Sequence, residues 1–295
     1  MEFSSRRISG KTTVYGLIGD PIDHSMSPAI QNTAFHSTGI DAVYVPFHVR
    51  REDLRDAVKG LRTLRVKGFN VTAPHKVNVL RYLDKVETSA AAIGSVNTVV
   101  NENGKLWGFN TDGIGAVKAL EEADATPKGK SFLIFGAGGA SRAIAYALAQ
   151  QTNSIRLVNR TISKSKELED RIRRRFHIEV THVPLSSKLL KDFITEADIV
   201  INASSMGTDG VANPPIEADW LRSNQLVFDI VYRPPQTRLL ELADSAGART
   251  IGGLDMLVNQ GACTFELWTG RKAPILEMRH AIAQGLLAMK HAESS

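Results

Sequence analysis

The turn Gly136-Ala-Gly138-Gly139-Ala140-Ser141 has the residue types and spacing that bind a pyrophosphate. Glycines let the backbone turn sharply and approach the ligand. Unpaired N–H groups and the dipole at a following helix N-terminus attract the anion. A glycine-rich strand-to-helix turn without a ligand is the structural alternative, and the flanking sequence answers it. Lys130-Ser-Phe-Leu-Ile-Phe135 reads as a buried parallel strand, Ala143–Gln150 as helix and Ser154–Asn159 as a second strand. They close a βαβ unit of about 30 residues. Ser141 stands where a third glycine often sits, which predicts slightly wider helix–strand packing.

The end of the second strand selects the dinucleotide. Sites that prefer NAD place a carboxylate there, about 20 residues beyond the glycines, for the ribose 2′-hydroxyl. Here the corner reads Asn159-Arg160-Thr161, with Lys164 one turn on and no carboxylate before Glu167. An arginine pairs with a 2′-phosphate that a carboxylate would repel. The structural alternative is a solvent-facing arginine; the residue types favour NADP (NADPH).

Other polar residues gather at strand ends, where α/β sheets bind ligands. His24-Ser-Met-Ser-Pro28 offers two hydroxyls, and Asn70-Val-Thr-Ala-Pro-His-Lys76 an amide, a hydroxyl and an amine. Gly94-Ser-Val-Asn97 and Gly108-Phe-Asn-Thr-Asp112 add Asn97 and Asp112. Each also reads as structure: Ser27 as a helix N-cap, Asn70, Thr72 and Asn110 as turn residues, Lys76 and Asp112 as surface charges. Taken singly, the structural reading is the better one.

These residues need a scaffold. Val14–Ile18, Ala42–Phe47 and Gly68–Thr72 read as strands, with Pro46 placing the second at an edge or strand end. Ser27–Ser37, Glu52–Leu64 and Val77–Leu83 read as helices between or after them. Val96–Val100 and Leu106–Asn110 flank Asn103-Gly104, a hairpin signal. Ile114–Glu122 is a helix, and the polar break Asp124–Gly129 precedes the nucleotide strand. Further strands fall at Ile178–Val183, Ala197–Asn202 and Leu226–Val231, and a helix at Thr237–Ala246 leads to Arg249-Thr-Ile-Gly-Gly253. The turns after Asn202 and Val231 should face the nicotinamide, with Ile230 and Gly253 as neighbours. Met256–Trp268 and Pro274–Lys290 are helical. The alternation implies an α/β protein of two domains, each with a mainly parallel sheet, the second a Rossmann-type doubly wound NADP domain.

Composition narrows the partners. At 295 residues, 43% hydrophobic and 23% charged, the chain has the make-up of a globular protein with room for two domains. The net charge of +5 suits anionic small molecules. The basic run Arg171–Arg175 shares its helix with Glu167, Glu169 and Asp170 and lacks interleaved aromatics, so it reads as a solvated face and no nucleic acid is expected. Cys263 is the sole cysteine, leaving no disulfide or thiolate cluster; a buried, inert thiol is expected, and no metal. His177 and His182 read as structural. No apolar stretch approaches a membrane span, and the polar start Met1–Arg7 lacks a signal-peptide core, so a cytoplasmic location is expected.

Read in order, a longer set of stretches emerges. Gly16-Leu-Ile-Gly-Asp-Pro21 and His24–Pro28 lead to Asn70–Lys76, Gly94-Ser-Val-Asn-Thr98 and Asn110-Thr-Asp112. The glycine turn, Asn159–Thr161, Asn202-Ala-Ser-Ser-Met-Gly207 and Asp229-Ile-Val-Tyr-Arg-Pro234 follow. Gly252–Gln260 and Phe265-Glu-Leu-Trp-Thr-Gly270 close the series, which covers residues 13–271. The set resembles the shikimate dehydrogenase family. Ala73 replaces a common branched residue, and Gln31-Asn32 stands where His-Asn is frequent; neither touches a reacting group.

The resemblance implies a site and an activity. Ser25 and Ser27 would hold the substrate carboxylate, and Thr72, Asn97, Tyr232 and Gln260 the ring hydroxyls. Lys76 would be the acid/base and Asp112 its partner, also bonding the substrate hydroxyl. Gly136, Ala137, Gly138, Gly139 and Ala140 would take the pyrophosphate. Asn159, Arg160, Thr161 and Lys164 would take the adenosine 2′-phosphate, with Ile230 and Gly253 beside the nicotinamide. The implied reaction is reversible NADPH-dependent reduction of 3-dehydroshikimate to shikimate, in the route to chorismate and aromatic amino acids. A substrate domain of 1–113, completed by 256–295, would face an NADP domain of 114–255, in a monomer or homodimer. The alternatives are a quinate or dual quinate/shikimate dehydrogenase, and a nucleotide-binding regulatory protein without turnover.

Overall fold

The computed structural model describes residues 8–293; Met1–Arg7, on which the signal-peptide expectation rests, lies outside the described residues. A first sheet holds β1 (Thr13–Gly19), β2 (Ala42–His48), β3 (Gly68–Val71), β4 (Lys85–Val86), β5 (Thr98–Glu102) and β6 (Lys105–Phe109). Their spatial order is β2-β1-β3-β5-β6-β4. β1 runs parallel to β2 and β3, whereas β5 is antiparallel to both β3 and β6. The β5–β6 reversal comes from Asn103-Gly104, whose φ angles of 54° and 88° are the left-handed pair that a tight hairpin turn requires. Pro46 lies in edge strand β2, where a missing N–H breaks no ladder.

Local sequence explains most of the first helices. α1 (Ser27–Ser37) carries Pro28 in its first turn, where the missing N–H is harmless. Ser27 is not its N-cap: Met26 holds that position without a side-chain bond, which leaves the serine hydroxyl for other use. α2 (Leu54–Thr63) buries Leu54, Val58 and Leu61 at helical spacing. The helix expected at Val77–Leu83 is a shorter 3-10 turn, Asn78–Tyr82. β4 and α3 (Thr88–Ile93), the latter capped by the Glu87 carboxylate, carry no signal that periodicity could find.

A second sheet is wholly parallel. β7 (Ser131–Phe135), β8 (Ser154–Asn159), β9 (Glu179–Pro184), β10 (Ile199–Asn202), β11 (Leu226–Asp229) and β12 (Arg249–Ile251) lie in the order β12-β11-β10-β7-β8-β9. The order reverses between β7 and β10, which opens the crevice where doubly wound sheets bind dinucleotides. α5 (Gly139–Leu148), α6 (Ile162–Arg173), α7 (Leu190–Glu196) and α8 (Arg238–Ser245) cover the sheet. α9 (Gly253–Thr269) and α10 (Ile275–Glu293) leave it and pack on the first sheet, where Val258, Phe265, Trp268 and Met278 join a core with Tyr15 and Phe35. Trp268 Nε1 donates to the Val99 carbonyl at 3.1 Å.

One helix joins the two halves. α4 (Asp112–Glu122) has glycines on two faces. A Cβ on Gly113 would lie 2.6 Å from the Ala143 carbonyl of α5, and one on Gly115 would lie 2.8 Å from the Gln260 amide of α9. Close backbone contact on both sides holds the start of α4, and therefore Asp112, between the sheets. Among the described residues no helix is long and apolar enough to cross a membrane.

Candidate active site

Asp112 is the first residue of α4, where the helix dipole favours an anion. Lys76 follows β3 in a short loop, and its Nζ donates to Asp112 Oδ2 at 2.6 Å. The carboxylate is 4% exposed and the amine 18%, so this is no surface pair. Asn97 Nδ2 donates to the other oxygen, Oδ1, at 2.8 Å, and to the Thr111 hydroxyl at 2.9 Å. The Asp112 carboxylate is thus held at both ends, while the lysine keeps further N–H groups toward the cleft. His75 anchors the loop from behind: fully buried, its Nε2 donates to the Val49 carbonyl at 2.6 Å.

Around this pair lie the other residues expected on the substrate side. Ser25 and Ser27 follow β1 and are half-buried. Ser27 faces the Tyr44 phenol and Ser25 and the Met26 amide face the Tyr232 phenol, in each case favouring the charged form against burial. Burial pushes both phenols above the usual range, Tyr44 well above it, so both stay protonated at neutral pH. Tyr232 comes from the loop after β11, and its contact with Ser25 joins the two halves. Thr72 is half-buried just past β3, and Gln260 Oε1 accepts from Asn97 Nδ2 at 3.4 Å. Asn110 takes the turn role: its Oδ1 accepts from the Asp112 amide at 3.0 Å. Sequence reasoning missed a buried floor beneath the site. Tyr44 donates to Asn70, Asn70 Nδ2 donates to Thr98, and the Thr98 hydroxyl lies 2.9 Å from that of Thr264. Threonine in a strand looks like β-propensity alone, so only the fold reveals that chain.

The cofactor residues collect at the crevice of the second sheet. Gly136 has φ of 109°, and a side chain there would lie 2.8 Å from the Ala203 carbonyl after β10. Ser141 is fully buried, and its hydroxyl donates to the Gly136 carbonyl at 2.7 Å, closing the turn on itself. Ala137 is buried behind the turn and Ala140 is half-buried in α5, whereas a Cβ on Gly138 would meet nothing within 4 Å. Ile230 and Gly253 are neighbours, since a Cβ on Gly253 would collide with the Ile230 carbonyl. Ile230 and Tyr232 line a cavity of about 380 Å³ with His24, Ser204 and Thr208. Residue type alone assigns nothing to that serine and threonine, although the stretch Asn202–Gly207 marks the segment.

At the far end of β8, Arg160, Thr161 and Lys164 are exposed, and Arg160 has no ion-pair partner among the described residues. Asn159 Nδ2 donates to the Thr161 carbonyl at 2.8 Å, shaping the corner before α6. Glu167, the nearest downstream carboxylate, is turned to Arg142, which donates to its two oxygens at 3.0 and 2.9 Å. The Arg142 bond, aided by Arg171, holds that carboxyl down at about 2. The basic run is therefore not simply a solvated face: Arg171 pairs with Glu167 and packs over Gly94 of the first half. Cys263 is half-buried rather than buried, with Lys118 Nζ 3.7 Å from its sulfur, and burial raises its thiol. His182 lies 2.5 Å from Glu169 at the edge of the sheet, a pairing role.

The loop that carries Ile230 and Tyr232 hangs on a buried acid. Asp229 accepts from Asn202 Nδ2 (2.9 Å), the Val231 amide (3.0 Å) and the Thr237 hydroxyl (2.7 Å). Burial nevertheless dominates and pushes its carboxyl up from 3.8 to about 6. A folded pKa above the unfolded one means the native state holds the proton longer. Stability from this group is therefore full below pH 4 and falls as pH rises through 6, by about 3 kcal/mol. Urea midpoints from pH 4 to 7 should show that decline in the wild type and lose it in Asp229→Asn. Equal slopes for the two proteins would refute the assignment.

Comparison with known proteins follows the same lines. A model for the shikimate dehydrogenase substrate binding domain matches residues 17–99, and one for shikimate / quinate 5-dehydrogenase matches residues 118–236. A shikimate 5′-dehydrogenase C-terminal domain model matches residues 253–283. The shikimate dehydrogenase (NADP(+)) of Desulforamulus reducens is 44% identical over 280 residues, 94% of this chain and 96% of its own. That of Methanocaldococcus jannaschii is 43% identical over 281 residues, 93% of this chain and 98% of its own. A crystal structure of a shikimate dehydrogenase in complex with NADP+ superimposes with a TM-score of 0.88 at 41% identity, covering 95% of this chain and 98% of that one.

Proposed function

Because the chain belongs to the shikimate dehydrogenase family, we propose that it interconverts 3-dehydroshikimate and shikimate with NADP as its redox partner. The observation that carries this reading is the buried Lys76–Asp112 pair, set in a cleft that the glycine turn faces. When bound, the dinucleotide supplies the hydride to the ring ketone. Negative charge then builds on the carbonyl oxygen, and the Lys76 ammonium stabilises it and donates the proton. Asp112 holds the ammonium in place and accepts a hydrogen bond from a neighbouring ring hydroxyl. In the reverse direction the neutral amine takes the proton back. Ser25 and Ser27 hold the substrate carboxylate, while Thr72, Asn97, Tyr232 and Gln260 orient the ring.

The residues present fit the dinucleotide. Gly138 faces open space at the start of a ten-residue helix, and Arg160 is an exposed cation without an ion-pair partner among the described residues. Gly136–Ala140 would hold the pyrophosphate, and Asn159, Arg160, Thr161 and Lys164 the 2′-phosphate. Ile230 and Gly253 would flank the nicotinamide. Residues 1–113 with 256–295 form the substrate domain and 114–255 the cofactor domain, a division supported by the packing of α9 and α10 on the first sheet. All of these residues come from one chain, so a monomer or a homodimer of a cytoplasmic enzyme would serve.

Initial rates with shikimate and quinate, each with NADP and NAD, test the reading. Turnover should be fastest with shikimate and NADP. No turnover with either acid would reject the enzyme, and preference for quinate with NAD would assign it to the other branch of the family.

A further inference from the structure

Gly139 occupies a position that the dinucleotide motif leaves open. In a G-x-G-x-x-G turn starting at Gly136, the glycine positions are 136, 138 and 141. The backbone of Gly139 is helical and not left-handed, so no conformational demand excludes a side chain. Space does. A Cβ there would lie 2.6 Å from Lys76 Cβ, 3.0 Å from Lys76 Cδ and 2.9 Å from Ser95 Oγ.

The obstacle is rigid. Lys76 Cβ moves only with its backbone, whose carbonyl accepts from the Val96 amide at 2.8 Å. Ser95 is fully buried, and its hydroxyl has no hydrogen-bond partner among the described residues. The lysine stem and the serine thus pack directly on the first turn of the cofactor helix. Carbon atoms in ordinary contact lie about 3.5–4.0 Å apart. A methyl at 139 would therefore push Lys76 about 1 Å from its seat, away from the geometry in which its Nζ meets Asp112.

We infer that Gly139 is a positioning residue for Lys76: its missing side chain is the seat of the lysine stem on α5, while its part in holding the pyrophosphate falls to the backbone N–H, which an alanine keeps. The inference rests on the acid/base role proposed for Lys76. A misplacement of about 1 Å at a reacting group costs about 100-fold. Gly139→Ala should lower kcat by about that factor, with the NADPH dissociation constant, read by cofactor fluorescence, within about threefold of wild type. Gly138→Ala, which intrudes on the ligand's own space, should raise that dissociation constant instead.

The double variant decides the route. Added to Lys76→Ala, Gly139→Ala should cost less than about threefold more in kcat, because no ammonium remains to be displaced. A further loss near 100-fold, or a Gly139→Ala enzyme whose main defect is NADPH affinity, would overturn the inference. A normal kcat in Gly139→Ala beside a slow Lys76→Ala would do the same while leaving the lysine's role intact. A normal kcat in Lys76→Ala would instead remove the proposed mechanism itself. Should Gly139→Ala fail to fold, Ser95→Val presses on the same contact from the substrate side. It should lower kcat about tenfold with NADPH binding kept; an unchanged kcat would overturn the inference.

Discussion

Replacing Lys76 by alanine is expected to lower kcat about a thousandfold while NADPH still binds. Positioned proton transfer contributes about 10²–10⁴-fold, and the same ammonium stabilises the developing charge on the ketone oxygen. The two roles are lost together, so the upper half of that range is expected. Substrate binding should change far less, because Ser25, Ser27, Thr72 and Tyr232 grip the substrate without the amine. The variant also leaves Asp112 with one partner, Asn97, in a site where the carboxylate is 4% exposed. A buried charge that loses its partner is costly, so the thermal midpoint should drop. A fluorescence titration with NADPH, a melting curve and single-turnover rates separate these effects. Near-normal kcat would take the acid/base role from Lys76.

What could be read in the chain depended on how local its cause was. The glycine turn, the Asn103-Gly104 hairpin and the edge position of Pro46 follow from steric rules over a few residues, and the structure bears them out. The antiparallel pairing of β5 with β6 was implicit in that hairpin, yet alternation of strand and helix had pointed to a parallel sheet. Ser27 shows the opposite case. Serine before proline at a helix start reads as an N-cap, but Met26 takes that position and Ser27 faces Tyr44, 17 positions away in the chain. Site residues such as Lys76 and Asp112 gave no sign of pairing by themselves. Their meeting depends on Gly113 and Gly115 letting α4 lie against α5 and α9 at once. Only the ordered likeness to a family could bring those positions together before the fold was seen.

Arg160→Glu should weaken NADPH by about 100-fold while affecting NADH far less. The corner is built for an anion: Thr161 caps α6 without using its side chain, so the Ile162 and Ser163 N–H groups receive no side-chain cap, while that of Lys164 reaches the Thr161 carbonyl at 3.1 Å. Arg160 and Lys164 stand exposed beside them. The next carboxylate, Glu167, cannot offset their charge, because Arg142 and Arg171 already engage both of its oxygens. A hydrogen bond to a charged group contributes about 1.5–3 kcal/mol, or roughly 10–100-fold, and a new carboxylate beside the 2′-phosphate adds repulsion. NADH has no such phosphate, and a glutamate there can accept from its ribose 2′-hydroxyl. Titrations of the two cofactors at two salt concentrations provide the measure. The NADPH preference of the wild type should fall with salt, and that of Arg160→Glu should hardly respond. Unchanged NADPH affinity in Arg160→Glu would shift the phosphate contact to Lys164 and the uncapped amides of α6, since these are the remaining donors at that corner.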